Sequence, residues 1–289
     1  MDWIAPGKGW YASVFMAGFV VVLAWELLRP LHRERVDMVR RWVANLSLLV
    51  IGGLVFRWLN PLLVLAVAHL VEVSQFGLLN WLPLAPGPAF VAGFVLLDLA
   101  AWVTHWLSHN LAWWWRLHVL HHNDTEVDFS TTYRHHPLDV AVSLAADLTL
   151  ITLLGCDVVT VLIYKVVAMS WNLLRHGNLA LPHAIERPLT KVLVTPYLHR
   201  LHHSRIRRET NSNYGVLFSF WDRWFGTYAE RPLHEYADLP IGLEVYTGRT
   251  EHGLLRMLRL PFVWNQKRID AGLAADAGSV APEQLRVQG

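Results

Sequence analysis

Long apolar runs separated by short polar stretches organise the first two thirds of this chain. The first, WYASVFMAGFVVVLAWELL (Trp10–Leu28), approaches the roughly 20 apolar residues that a bilayer-spanning helix needs. Arginine-rich RPLHRERVDMVRR follows it instead of a small-residue cleavage site, so it reads as a retained anchor. The second run, Trp42 to Val71, is too long for one straight span and is interrupted by RWLNP (Arg57–Pro61), where Pro61 is expected to kink it. The third, AFVAGFVLLDLAAWVTHWL (Ala89–Leu107), carries Asp98 within it. The fourth, Val140 to Trp171, is broken by Gly155, Cys156 and Asp157. Its arms of about 16 residues would measure about 24 Å each, which predicts a shallow hairpin or a pair of short spans. From Lys267 the chain turns small and polar and is expected to form a disordered tail.

These elements predict an all-α, multi-spanning membrane protein, and loop charges orient it. Arg29, Arg33, Arg35, Arg40 and Arg41 follow the first span, whereas Glu72 to Pro88 contains neither lysine nor arginine. The first loop is therefore expected in the cytoplasm and the second outside. Treating Trp42–Val71 as one crossing and the fourth run as a hairpin brings every histidine cluster to the cytoplasmic side. Composition agrees with a membrane protein, with 54% hydrophobic and 17% charged residues in 289. The formal net charge of +2 offers no footprint for nucleic acid. The single Cys156 excludes a disulfide framework, a cysteine zinc site and an iron–sulfur cluster.

Sixteen histidines change the picture. His105 and His109, spaced i, i+4, share one helical face. His118, His121 and His122 form H-x-x-H-H, and His199, His202 and His203 repeat it. Such spacings converge on one face as well, and neutral imidazole is the commonest metal-binding side chain. Eight imidazoles exceed what one ion takes and suit two ions of high coordination number. Imidazole suits Fe(II), while zinc, copper and manganese stay open on ligand type alone. His136 in RHHP and His176 in RHGN are further candidates facing the same side, with His135 the lesser choice. His32, His69, His183, His234 and His252 have no spacing partner. Asp98, a carboxylate within a span, is expected to accept a hydrogen bond from a metal-bound histidine deeper than His105. Trp113, Trp114 and Trp115 fit an interfacial aromatic belt.

In this order, HWLSH (His105–His109), HVLHH (His118–His122) and HRLHH (His199–His203) resemble the three histidine boxes of the fatty acid hydroxylase / sterol desaturase superfamily of membrane-bound di-iron enzymes. RHHP (Arg134–Pro137), HGN (His176–Asn178), NYG (Asn213–Gly215) and WDRWFGTY (Trp221–Tyr228) resemble its flanking elements, and Asp98 its acidic residue ahead of the first box. Trp106 stands where many members carry arginine.

The resemblance implies two iron ions that use O2 to hydroxylate, or desaturate, a lipid drawn from the bilayer. The ligands would be His105, His109, His118, His121, His122, His199, His202 and His203, joined by His136 and His176. It implies N-terminal membrane helices over 1–88, a catalytic region over 89–230, a membrane-surface segment over 231–266 and the tail over 267–289. With no G-x-G-x-x-G element or cysteine cluster in the chain, electrons would come from an external ferredoxin, cytochrome or reductase. The basic segment HRLHHSRIRRE (His199–Glu209) is a candidate surface for docking or for lipid headgroups. A bacterial inner membrane is the expected location. Two rivals follow from the histidines: a di-zinc hydrolase, and a metal-transport or metal-storage protein whose histidines would line a path across the bilayer.

Overall fold

The computed structural model describes residues 10–33, 37–52, 59–245 and 253–265; the expected tail from Lys267, along with Arg35, Arg57 and Trp58, lies outside the described residues. The described residues are helical, and no strand occurs among them. Helix α1 (Trp10–Leu28) coincides with the first apolar run. The second run divides into α2 (Met38–Gly52) and α3 (Leu59–Ser74), with Pro61 in the first turn of α3, where a proline costs no intrahelical hydrogen bond. A short α4 (Leu78–Trp81) leads into α5 (Pro86–Asn110). The fourth run is a hairpin of α7 (Pro137–Leu154) and α8 (Val158–His176), reached through α6 (Ala112–His122). Among the described residues, four segments, Leu62–Trp81, α5, α7 and α8, are long and apolar enough to cross a membrane.

The hairpin turn has a local cause. Gly155 ends α7 in the left-handed conformation at φ 76°, which glycine adopts without penalty. Asp157 then caps α8, accepting from the Thr160 amide at 2.9 Å. The approach of Gly77 is so close that a Cβ there would stand 2.5 Å from the Gly155 Cα, which ties the α3–α4 corner to the hairpin tip. Val64, Ala68, Leu97, Leu144, Ile151, Val161 and Tyr164 fill the space between α3, α5, α7 and α8. All the histidine-bearing termini lie at the opposite end.

At that end a cap forms from α6, a 3-10 turn (129–133) and short helices α9 (His183–Leu189), α10 (Pro196–His202), α11 (Arg207–Thr210) and α12 (Phe220–Trp224). Helix α13 (Leu254–Val263) packs on α2 and α6 through Met257 and Leu260. Arg41 is not a loop charge as expected: it lies inside α2 and is buried. Its guanidinium meets Asp124 at 2.9 Å and Asp128 at 2.5 Å. Asn45 and Trp42 donate to the same two carboxylates. Arg134, also buried, donates to Asn45 and to the Leu120 carbonyl at the end of α6. Breaking a buried pair strands the partner's charge, so Arg41→Met is expected to cost about 3–5 kcal/mol. Thermal unfolding of detergent-purified protein checks this; a midpoint equal to wild type would contradict the account.

Candidate metal centre

The three histidine boxes and His176 meet in the cap. Imidazole nitrogens of His105, His109, His122 and His202 form one group, and those of His121, His176, His199 and His203 a second. Within each group the donor atoms lie within 4.8 Å of one another. The two groups adjoin, with His122 and His203 ring centroids 4.6 Å apart. Helical geometry explains the doublets: consecutive residues point about 100° apart, so each His-His pair is a fork. His121 and His203 serve the second group, while His122 and His202 serve the first. His118 stands between them, its ring centroid 5.1–5.4 Å from those of His105, His109, His121 and His122.

Hydrogen bonds on the outer side of the rings decide which nitrogen faces inward. His105 Nδ1 donates to the Tyr214 carbonyl at 2.7 Å, His202 Nδ1 to the Ser212 carbonyl at 2.6 Å and His176 Nδ1 to the Asn172 carbonyl at 2.8 Å. A carbonyl only accepts, so these Nδ1 atoms carry the proton and each Nε2 presents a lone pair. Yet His105 Nε2 and His202 Nε2 face each other at 3.1 Å. Two lone pairs at that distance repel unless a cation lies between them. His109 Nε2, His118 Nε2 and both nitrogens of His122 are buried with no hydrogen-bond partner among the described residues, a costly state for polar atoms. An all-imidazole set of converging nitrogens fits two metal ions of the kind that favour nitrogen ligands.

Burial also sets protonation. Loss of hydration holds His202 down to about 3, and burial lowers His121, His122, His199 and His203 well below the ordinary histidine value. Neutral imidazole is the form that binds metal.

The carboxylate expectation needs correcting. Asp98 touches no histidine: it accepts from Trp221 Nε1 at 2.9 Å, the Tyr164 hydroxyl at 3.2 Å and the Leu217 and Phe218 amides, both at 3.1 Å. Its place mid-helix, below the histidines, leaves it holding the loop that follows Tyr214. The carboxylate that faces histidines is Asp139, in the first turn of α7. It accepts from His118 Nδ1 at 3.2 Å, His135 Nδ1 at 3.0 Å and Trp114 Nε1 at 3.0 Å. This turns His118 so that Nε2 points at the two groups. His136 does not join them: its Nδ1 accepts from the Leu138 amide and its Nε2 donates to the Leu258 carbonyl. Its neighbour His135 turns inward instead and stacks on His121 at 4.3 Å.

Asp147 and Glu72, also acidic within apolar runs, serve the hairpin: Asp147 pairs with Lys165 at 2.6 Å, and Glu72 accepts from the α8 N-terminus. The tryptophan triplet divides by helical rotation. Trp113 is exposed as a belt residue would be, Trp114 is buried on Asp139, and Trp115 lies 4.9 Å from His109.

The loop 211–215 supplies the acceptors for the first group, and the sequence around it explains its rigidity. Asn213 adopts φ 51° and clamps Ala229 through two hydrogen bonds. Asp222 accepts from the Tyr214 and Gly215 amides at 2.8 and 2.9 Å, and from Trp102 Nε1 at 2.9 Å. A Cβ on Gly215 would meet the Phe218 carbonyl at 2.5 Å, so only glycine fits. Arg175, buried beside His176, donates to the Gly215 carbonyl at 2.6 Å. Asp139, Arg175 and Asp222 escape the sequence reading because no histidine spacing points to them, and His135, ranked there below His136, is the one of the pair that turns inward. The signal for Asp139 is its place three residues after His136, at a helix start on the histidine side.

Residues 90–227 match the family described as Fatty acid hydroxylase. Ornithine lipid hydroxylase OlsE of Rhizobium tropici is 28% identical over 259 residues, covering 88% of this chain and 76% of that protein. Alkylglycerol monooxygenase of Caenorhabditis elegans is 28% identical, covering 46% of this chain and 26% of its own. Cholesterol 25-hydroxylase of Homo sapiens is 29% identical, covering 46% and 48%. The chain thus spans less than half of the latter two. No solved structure matches the chain.

Two outcomes test this geometry. Asp139→Asn keeps the size but removes the charge that orients His118, and is expected to weaken metal affinity about 10–100-fold. Competition with a chelator of known affinity measures it; an unchanged affinity refutes the orienting role. Acid is the second test. An unfolded histidine takes its proton near 6.5, whereas folded His202 resists until about 3. Protons therefore favour the unfolded chain, and stability present above pH 6.5 is lost as pH falls toward 3. Metal-stripped protein is expected to lose about 1.4 kcal/mol per pH unit for each such histidine, read as a falling thermal midpoint. A flat midpoint between pH 7 and 5 contradicts it.

Proposed function

We propose that this chain, which belongs to the fatty acid hydroxylase family through its residues 90–227, is a membrane-embedded, O2-dependent di-iron enzyme that hydroxylates a lipid. The observation that carries the reading is the pair of adjoining four-histidine groups with inward lone pairs. When bound there, two iron ions would supply the activation of O2 toward an unactivated C–H bond. His105, His109, His122 and His202 would hold one ion and His121, His176, His199 and His203 the other, with His118 between them. The backbone carbonyls of residues 212 and 214 keep the Nδ1 protons outward, and Asp139 fixes the tilt of His118. The substrate reading is a polar lipid, with an aminolipid such as ornithine lipid foremost, because the relative of that name covers most of the chain.

Hydroxylation is preferred to desaturation on the same ground: the named relatives are hydroxylases and monooxygenases. The gathering of all these histidines at one end of the helices disfavours a metal path across the bilayer. Arg29 and Arg33 lie at that same end, since Leu31 donates to the Asn178 carbonyl two residues beyond His176. Positive-inside reasoning then supports a cytoplasmic site in a bacterial inner membrane, open to an external electron donor.

Metal analysis of protein purified from cells tests the reading. About two irons per chain are expected, with O2 consumption on adding reductant and lipid. Two zincs and no O2 uptake would establish the hydrolase instead. His121→Ala and His202→Ala are each expected to remove activity to background and to lower bound iron, with the helical fold kept by circular dichroism. Full iron and retained turnover in either variant would refute the ligand assignment.

A further inference from the structure

Helix α12 is far too short to cross a membrane, and it carries Asp222 and Arg223. Its surroundings are nonetheless those of a span. The loop before it lies against the middle of α5: the Leu217 and Phe218 amides donate to Asp98 at 3.1 Å, and the Phe218 ring stands 6.4 Å from that of Phe94. Phe225, immediately after α12, stacks on Trp102 of α5 at 4.5 Å. Helix α5 has 25 residues, about 37 Å at the helical rise and so about 7 Å more than the hydrocarbon of a bilayer. Trp102 precedes the end of α5 by about 12 Å. Even with all the excess on the histidine side, Trp102 and the Phe225 stacked on it stay below the hydrocarbon boundary.

The side chains at this depth suit lipid. Trp224 is 70% and Phe225 53% exposed, and Trp106, one turn beyond Trp102 and stacked on it, is exposed as well. The Asp222 carboxylate is enclosed instead, accepting from the Tyr214 and Gly215 amides, Trp102 Nε1 and the Thr227 hydroxyl, which satisfies a charge away from water. Arg223 donates to the Thr190 carbonyl at 3.2 Å and lies over the Tyr228 ring at 3.5 Å, the apolar-stem, charged-head placement of an interfacial arginine.

We infer that the tip of α12, Trp224 and Phe225, inserts into the acyl region of the lipid leaflet on the histidine side, so that the cap is held in the bilayer by a contact outside its spanning helices. Lipid is the occupant because the tip continues the membrane face of α5 at the depth of Trp102, where a soluble partner does not reach. Asp222 in the same helix holds the Tyr214 amide, and the Tyr214 carbonyl takes the His105 proton. The tip thereby ties the first histidine group to that depth. This placement stands whichever metal or reaction the histidines serve, so it and the hydroxylase reading fail separately.

Full-length protein in nanodiscs of phosphatidylethanolamine and phosphatidylglycerol tests the insertion. Hydroxyl-radical footprinting of the unaltered chain is expected to oxidise Trp224 severalfold more slowly than the same tryptophan in a free peptide of residues 220–228. Equal rates place it in water and overturn the proposal. A bimane label on W224C or, separately, on F225C identifies what covers the tip. Cys156 is the single cysteine and is buried, so wild type treated with the same reagent is the blank. Lipids brominated along the acyl chain are expected to quench both labels severalfold more than a label on E230C, at an exposed position of the cap. Labels quenched only by a water-soluble reagent place the tip outside the bilayer, and labels shielded from both quenchers mean that protein covers it. Either result overturns the proposal.

Discussion

Imidazoles packed this densely cannot all carry charge together. Burial away from water disfavours a proton on His121, His122, His199, His202 and His203, and the lone pairs of His105, His176 and His202 turn toward shared points. Every surrounding element serves that arrangement. Backbone carbonyls at 212 and 214 take outward protons from His202 and His105, the α8 backbone takes that of His176, and Asp139 takes that of His118. The two metal-sized foci are therefore a property of the hydrogen bonds behind the rings as much as of the rings themselves.

Because the acceptors sit on a loop, the loop has to be as stiff as a helix. Two buried carboxylates do this from opposite sides. Asp222 gathers amides at 214 and 215, and Asp98 gathers those at 217 and 218. Indole N–H groups of Trp102 and Trp221 cross between α5 and the loop. Each carboxylate has the full set of donors that burial demands. Arg175 closes the arrangement from α8. The membrane helices thus do more than anchor the cap, since two of them carry side chains that fix the carbonyls behind the histidines.

The long helices α5, α7 and α8 were readable from apolar length, down to the glycine and aspartate that turn the fourth run, whereas the short cap helices and the division of the second run were not. Seven of the eight histidines in the two groups were readable from i, i+3 and i+4 spacing, which is a local property of helices, while His176 entered only as a further candidate in RHGN. What spacing could not carry was direction beyond one turn. His135 and His136 are adjacent, and their directions are set by hydrogen bonds: His136 caps α7 and donates to the Leu258 carbonyl, while His135 turns to Asp139. Asp98 and Asp139 are both buried acids at helical positions, but Asp98 draws partners from 119 to 123 residues ahead, whereas Asp139 is met by His135 beside it and by Trp114 and His118 of α6. Arg41 looked like a topological charge because its partners, Asp124 and Asp128, are more than 80 residues away in sequence.

The Asp98 ligands also impose an order in time. Its partners at Leu217 and Trp221 follow it by 119 and 123 residues. At roughly 5–20 residues per second of synthesis, α5 waits on the order of ten seconds before they exist. An aspartate at the centre of an inserting helix costs about 3 kcal/mol, so α5 must enter the bilayer on the strength of its apolar residues alone. The bonds that later hold the loop behind the histidines are, during biogenesis, a debt carried by a helix already in the membrane.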